Sequence, residues 1–244
     1  MPVKTAERVL DLFEAFAELQ RAATLSELAR KLDIPVSSCF GLLRTIERRG
    51  YLYSAKPRGG LYPTQRILAL ARTIAAHDPI ATRVSTVLRD LRDATEETVL
   101  FAKRSGDRVV LLDVMPSQQR VRYTADIGDM RDLHSTSLGK ALLAQMPAKE
   151  RAALLAKLEL ARRTRETLTS RAKLDAELAK SAKRGWYTNA GESVEHIFAV
   201  AVPVTLHGDH YAVSLVGPME RMKPALARLV AELARLKLKI EVLE

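Results

Sequence analysis

The chain has 244 residues, 47% of them apolar, and a formal net charge of +10. That apolar share supports one large core or two modest ones and excludes disorder as the default, while the positive balance favours a polyanionic partner. A single cysteine excludes an internal disulfide framework and a cysteine-rich zinc site. No apolar run approaches the roughly 18 residues that span a bilayer and no signal-peptide core opens the chain, so a soluble cytoplasmic protein without membrane contact is expected.

The first predicted element is an amphipathic helix over 5–19. Val9, Leu10, Phe13, Phe16 and Ala17 are expected inward, and Glu7, Arg8, Asp11, Glu14 and Glu18 outward. Thr24 and Glu27 then fit a capping box that opens a short helix through Leu25, Leu28, Ala29 and Leu32, which must end before Pro35. The next helix lies within 35–51. Cys39, Leu42, Leu43 and Ile46 share its inner side, and Gly50 stops it. Its outer side offers Ser37, Ser38, Phe40, Gly41, Arg44, Thr45 and Arg48, small and polar at first and cationic further along. A strand at 51–54, a basic glycine-rich turn with Lys56 and Arg58, and a return at Leu61-Tyr62 read as a wing. Helix, turn, helix and wing in this order predict a winged helix-turn-helix on double-stranded DNA, a protein-binding winged helix being the alternative. The nine outer-face and wing residues from Ser37 to Arg58 are the candidate DNA contacts.

A helix over 65–76 follows, with Ile67, Leu68, Leu70, Ala71, Ile74 and Ala75 covering more than one face. Either a second copy of the same helix or the chain itself must meet so wide an apolar surface. Asp78 as N-cap and Pro79 at the first position open a helix to Ala94 whose inner stripe is Ile80, Val84, Val87, Leu88 and Leu91. The pattern then turns to strands at 98–103 and 108–115 around Ser105-Gly106-Asp107, with a third at 121–124. Helices are expected over 137–145, 149–157, 171–184 and 223–243, and strands over 197–206 and 210–216 around His207-Gly208-Asp209. The expected fold is α+β: a winged helix-turn-helix domain at 1–63, a linker helix at 64–78, and a domain with an antiparallel sheet at 79–244.

Asp132, His134, Ser135 and Ser137 invite comparison with a catalytic triad, but triads gather their members from distant segments, and no nucleophile elbow, phosphate loop or dinucleotide fingerprint is present. His207, Asp209 and His210 could be metal ligands or a hairpin tip, and the tip accounts for them without a third protein ligand. From His134 to Lys140 an irregular segment feeds a helix. Its first N–H groups, at Ser137 and Leu138, would either receive a carboxylate or be capped by Ser135 or Thr136.

Three stretches together resemble the IclR family of bacterial transcription regulators. They are Leu25-Ser-Glu-Leu-Ala-Arg-Lys-Leu32 through Arg49-Gly50-Tyr51; Val121-Arg-Tyr-Thr-Ala-Asp-Ile-Gly128 with Leu133-His-Ser-Thr-Ser-Leu-Gly-Lys-Ala-Leu-Leu143; and Arg184-Gly185-Trp186 with Glu192 and Ala201-Val202-Pro203-Val204. The resemblance implies a homodimer or a dimer of dimers, operator DNA as partner, and a GAF-like C-terminal domain that binds a small organic acid effector. It implies neither catalysis nor a cofactor nor a metal; the alternative is a metal-dependent sensor or enzyme built on the C-terminal domain. Val36 and Gly41 depart from the family pattern, which commonly has basic residues at both places. Effector contacts are expected from Met130, Leu133, His134, Ser137, Leu138, Asn189, Ile197, Ala199, Ser214 and Val216. With Ala199 and Val216 leaving room and only Asn189 and Ser214 polar among the four matched positions, the effector is expected to be an aromatic or similarly bulky carboxylate rather than glyoxylate or pyruvate.

Overall fold

The computed structural model describes residues 3–55, 59–77 and 79–242, with 79–82 as backbone alone. Lys56 and Arg58 of the wing, the Asp78 cap and the Ile80 side chain lie outside the described residues. The chain divides into two compact units, Met1–Asp78 and Pro79–Glu244.

The first unit runs α1 (Lys4–Leu19), α2 (Leu25–Lys31), α3 (Val36–Arg48), β1 (Leu52–Ser54), β2 (Leu61–Pro63) and α4 (Arg66–Ala76). The capping box is formed: the Thr24 hydroxyl accepts from Glu27 N–H at 3.3 Å, and Glu27 Oε2 accepts from Thr24 N–H at 2.8 Å. At the other end of α2 the chain reverses through Asp33, whose φ is 49°. There Ile34 N–H reaches back to the Ala29 carbonyl at 3.0 Å. The end of α3 repeats the device with Gly50 at φ 79° and Tyr51 N–H on the Ile46 carbonyl at 3.1 Å. A left-handed residue with a six-to-one hydrogen bond closes both helices and leaves few end carbonyls unpaired. Leu12, Phe16, Leu28, Cys39, Leu43, Ile46 and Leu52 form the core beneath.

The inner face of α1 is rotated from the expected one. Leu10 is 64% exposed and Ala17 also faces out, while Leu12 and Ala15 are buried. The edge of α1 that meets α2 and the hairpin is set by Phe16, whose ring stands edge-on to Tyr62 at 5.9 Å, and this fixes the rotation. The hairpin pairs Tyr53 with Tyr62, and Leu61 exchanges both backbone hydrogen bonds with Ala23, so the segment before α2 is its third strand in effect. Gly60 permits that approach: its φ is 143°, and a Cβ there would stand 3.1 Å from the Ala23 carbonyl oxygen.

The second unit contains α5 (Pro79–Thr95), β3 (Thr98–Ser105), β4 (Arg108–Met115), β5 (Met130–Asp132), α6 (Ser137–Gln145), α7 (Ala148–Lys157), α8 (Arg171–Arg184), β6 (Tyr187–Ala190), β7 (Ile197–Leu206), β8 (Asp209–Pro218), α9 (Met219–Met222) and α10 (Leu226–Glu241). The six strands form one antiparallel sheet in the order β5-β4-β3-β8-β7-β6. One face packs on α5 and α10 through Val84, Leu88, Leu229, Leu233 and Val213. The other packs on α6 and α8 through Leu138, Leu142, Leu174, Ala199 and Val216.

Three expectations are corrected. Residues 121–124 are not a strand: their carbonyls serve side chains, Tyr123 O accepting from the Thr98 hydroxyl at 2.8 Å and Val121 O from Arg221 at 3.2 Å. The strand beside β4 is β5 instead, after a turn at Gly128. The strand β6 was not anticipated, and the closing helix starts at Leu226 behind the short α9 rather than at Lys223. The tip between β7 and β8 is a two-residue turn, His207 at φ 50° and Gly208 at φ 75°, in the left-handed pair of conformations that hairpins favour.

The Arg21 guanidinium, then the Thr24 N–H and hydroxyl, pull the Glu27 carboxyl down to about 2. A depressed carboxyl stabilises the fold above its unfolded value of about 4.3 and loses that effect as pH falls toward the folded one. In the full chain, Glu27→Gln should therefore lower hydrogen-exchange protection of the α2 amides at pH 7. The gap from the parent should narrow steadily below pH 4, and a gap independent of pH would remove the capping carboxylate from the account.

Candidate functional sites

On α3 the side chains of Cys39, Leu43 and Ile46 are buried, and every candidate on the opposite side, Ser37, Ser38, Phe40, Gly41, Arg44, Thr45 and Arg48, is exposed. Arg44, Thr45, Glu47 and Arg48 line a shallow open groove. The Arg44 guanidinium lies 5.7 Å from the Phe40 ring centroid, and the Thr45 hydroxyl donates to the Gly41 carbonyl at 2.9 Å. Two turns of helix thus project cations that no carboxylate in the described residues engages in an ion pair. Such a helix can donate to phosphates and to base edges.

In the second unit the strand candidates meet across the sheet. Asn189 pairs with Ala199 and Ala199 with Val216, while Ser214 sits two residues from Val216 on the same face. Over them lies the start of α6, where the Ser137 and Ser214 hydroxyls are hydrogen-bonded at 2.9 Å. Leu133, Leu138, Ala199 and Val216 are packed in the core with Ile197 against it. The space expected above Ala199 and Val216 is thus filled: they are 5% and 4% exposed. Asn189 is spent within its own loop, accepting from Glu192 N–H at 2.7 Å and donating to Ser193 Oγ at 2.6 Å.

The open space lies above this layer. A cleft of about 500 Å³ is lined by Arg108, Tyr123, Thr124, Met130, Arg131, Asp132, Ser135, Thr136, Arg163, Ser193 and Val194. Met130 is the one expected effector contact on its wall. Thr136 caps α6 by accepting from Gly139 N–H at 3.1 Å, and no acceptor among the described residues meets the N–H groups of Ser137 and Leu138. The expected self-capping and the expected vacant N–H groups therefore coexist. Gly139 sets how close this helix end lies: a Cβ there would fall 2.2 Å from the Leu133 carbonyl oxygen.

Asp132 holds two of the cleft's cations, Arg108 and Arg163, in place. It receives Arg108 Nη1 at 2.8 Å, Arg163 Nε at 2.7 Å and Nη2 at 3.1 Å, and the Ser135 hydroxyl at 3.4 Å. Burial pushes its carboxyl up, but Arg163 and Arg108 outweigh this and hold it below the ordinary range. His134, its Nε2 at 3.0 Å from the Ala161 carbonyl, lines with Leu133 a smaller cavity of about 110 Å³ behind the Arg108, Asp132 and Arg163 cluster, and its Nδ1 is buried without a partner among the described residues. Ser135 and His134 thus address different partners, which is not the geometry of a triad. Among the described residues no group of three His, Cys, Asp or Glu is placed to hold a metal ion, and no helix is long and apolar enough to cross a membrane.

Sequence reasoning missed Arg108, Tyr123, Thr124, Arg131, Arg163, Ser193 and Val194, and it read Asp132 only as a triad member and Ser135 as a triad member or a helix cap. No local spacing joins Arg163 to Arg108, and only the fold brings them to one carboxylate.

A helix-turn-helix with a free cationic helix, followed by a sheet domain with a ligand-sized cleft, is the composition of a DNA-binding transcription regulator. Residues 72–241 match the C-terminal domain of the bacterial transcriptional regulator IclR, and residues 5–55 match the IclR helix-turn-helix domain. The chain belongs to the IclR family, whose members are DNA-binding transcription regulators and not enzymes. It is similar to the transcriptional repressor IclR of Escherichia coli, 27% identical over 90% of this chain and 82% of that one. In fold it matches a transcriptional regulator from Rhodococcus sp. RHA1 with a TM-score of 0.81, at 24% identity over 98% of this chain and 97% of that one. It also matches an IclR homologue from Microbacterium hydrocarbonoxydans complexed with 4-hydroxybenzoate, with a TM-score of 0.78 at 21% identity over 98% and 99%.

Proposed function

We propose that the protein is a cytoplasmic, ligand-responsive regulator that grips an operator through α3 and reads a small aromatic carboxylate in the cleft of its second unit. The observation that carries the DNA reading is the division of α3 into a buried side and a side with Arg44 and Arg48 exposed. The wing cations Lys56 and Arg58 belong to the same reading as phosphate contacts. In mobility-shift titrations with genomic fragments, Arg44→Ala should cost about 1–3 kcal/mol of binding at the selected site. A variant that binds as the parent does would take α3 out of the groove.

The segment 64–78, with α4, is read as the linker between a DNA-binding domain at 1–63 and a GAF-like domain at 79–244. Helix α4 has no buried residue, and Leu68, Leu70 and Ile74 are 42%, 47% and 64% exposed. A second copy of the chain is the economical cover for this face, giving a dimer or a dimer of dimers that meets a partly palindromic site. Replacing Leu70 and Ile74 together by Glu should yield monomers in sedimentation, and a parent that is monomeric at micromolar concentration would end the proposal.

For the effector, the cleft volume of about 500 Å³ falls within the roughly 300–1,000 Å³ of small-molecule sites. Its cations suit an acid, and Tyr123, Met130 and Val194 suit a ring. The Microbacterium homologue of this fold is complexed with a ligand of that class. In calorimetry, benzoate-type acids should bind more tightly than pyruvate, and the reverse order would overturn the choice.

A further inference from the structure

The outer face of α3 is not uniformly polar. Val36 and Phe40 stand on it 52% and 53% exposed, one turn apart. The core of the first unit is complete through Cys39, Leu43 and Ile46, so neither side chain is needed inside. Gly41 beside them has nothing within 4 Å of the place a Cβ would take, which leaves the backbone bare at that point. The Arg44 guanidinium over the Phe40 ring, 5.7 Å from its centroid, presents a cation and an apolar surface together.

We infer that Val36 and Phe40 recognise thymine through its 5-methyl group in the major groove, with Arg44 addressing a guanine next to the thymine under Phe40. The inference rests on the DNA-binding reading given above and deepens it. Valine and phenylalanine have no donor or acceptor for phosphates or for base edges. The one apolar group that a base pair offers in the major groove is the thymine methyl, and arginine pairs best with guanine O6 and N7. Residues i and i+4 are separated by about 6 Å along a helix, close to two base steps of about 3.4 Å, so the two side chains can reach two thymines about two steps apart. The bare backbone at Gly41 lets the helix seat deeply enough for such short side chains to arrive. A protein partner for the same patch is the competing occupant, and it makes no demand on the base sequence.

The test uses the full chain. Duplexes are selected from a random library, and each thymine of the enriched half-site is then replaced by deoxyuridine, which removes the methyl and leaves the hydrogen-bonding edge intact. At two thymines the parent should bind about fourfold more weakly, the effect of withdrawing one methyl from an apolar contact. Phe40→Ala should erase the penalty at one of them and Val36→Ala at the other, while the milder Phe40→Leu keeps it. Uracil tolerated at every position, or a penalty that survives unchanged in both alanine variants, would overturn the methyl readout and leave DNA binding standing. A parent that enriches no sequence would count against the DNA-binding reading itself.

Discussion

The second unit depends on one constraint: its sheet is covered on both faces. Strand β8 is buried over seven consecutive positions and β7 over five, because α5 and α10 lie on one side and α6 and α8 on the other. A strand in that position loses the alternation of a half-exposed one, and any polar group on it must find its partner inside. Ser214 does so, bonding to Ser137 of α6 and to the Val200 carbonyl. Strand β4, nearer the edge, keeps the alternation. The cleft follows from this arrangement, since it can open only where the sheet edge at β5, the loop before it and the start of α6 fail to close over one another.

The cleft is held open by polar contacts more than by packing. Gly139 lets α6 lie against the Leu133 backbone, and Asp132, one residue upstream, gathers Arg108 from β4 and Arg163 from the loop after α7. The opposite wall, Ser193 and Val194, follows Glu192. That residue's carboxylate meets the fully buried Lys140 Nζ of α6 at 2.6 Å, and Nζ also donates to the Thr188 carbonyl at 2.9 Å. Burial pushes the Glu192 carboxyl up and Lys140 opposes it, and a buried pair of this kind is weak evidence of stability. It ties the loop that carries one wall to the helix that carries the other.

What the sequence made legible was local. The capping box at Thr24 and the stop at Gly50 are each written within a few residues and the buried stripe of α3 within about two turns, and each is present. Residues 121–124 mislead because extended backbone and β-rich composition look the same whether carbonyls meet a strand or the side chains of Thr98 and Arg221. Strand β6 escaped because four residues ending in Asn189-Ala190 before a glycine carry more turn signal than strand signal. The family likeness matches Asn189, Ala199, Ser214 and Val216 to effector positions, and the sheet sets Asn189 beside Ala199 and Ala199 beside Val216. That likeness could not show that they are covered, because coverage depends on how α6 packs.

On the reading proposed above, effector and DNA engage units with separate cores, so any influence of one on the other has to be a difference in affinity between whole arrangements of the protein. Tight binding of an acid in the cleft is therefore insufficient for regulation. The acid must bind one arrangement better, and the groups able to register its presence are those already committed to one another. A carboxylate entering beside Arg163 competes with Asp132 for a guanidinium held by two hydrogen bonds. One that reaches Ser137 has to contend with the Ser214 hydroxyl. On that reading the exchange acts at α6 or at the loop after α7, and the Lys140–Glu192 pair joins α6 to the far wall. Geometry of this kind favours ligands that replace an internal bond with an equivalent one, and it discriminates against those that merely fill the space.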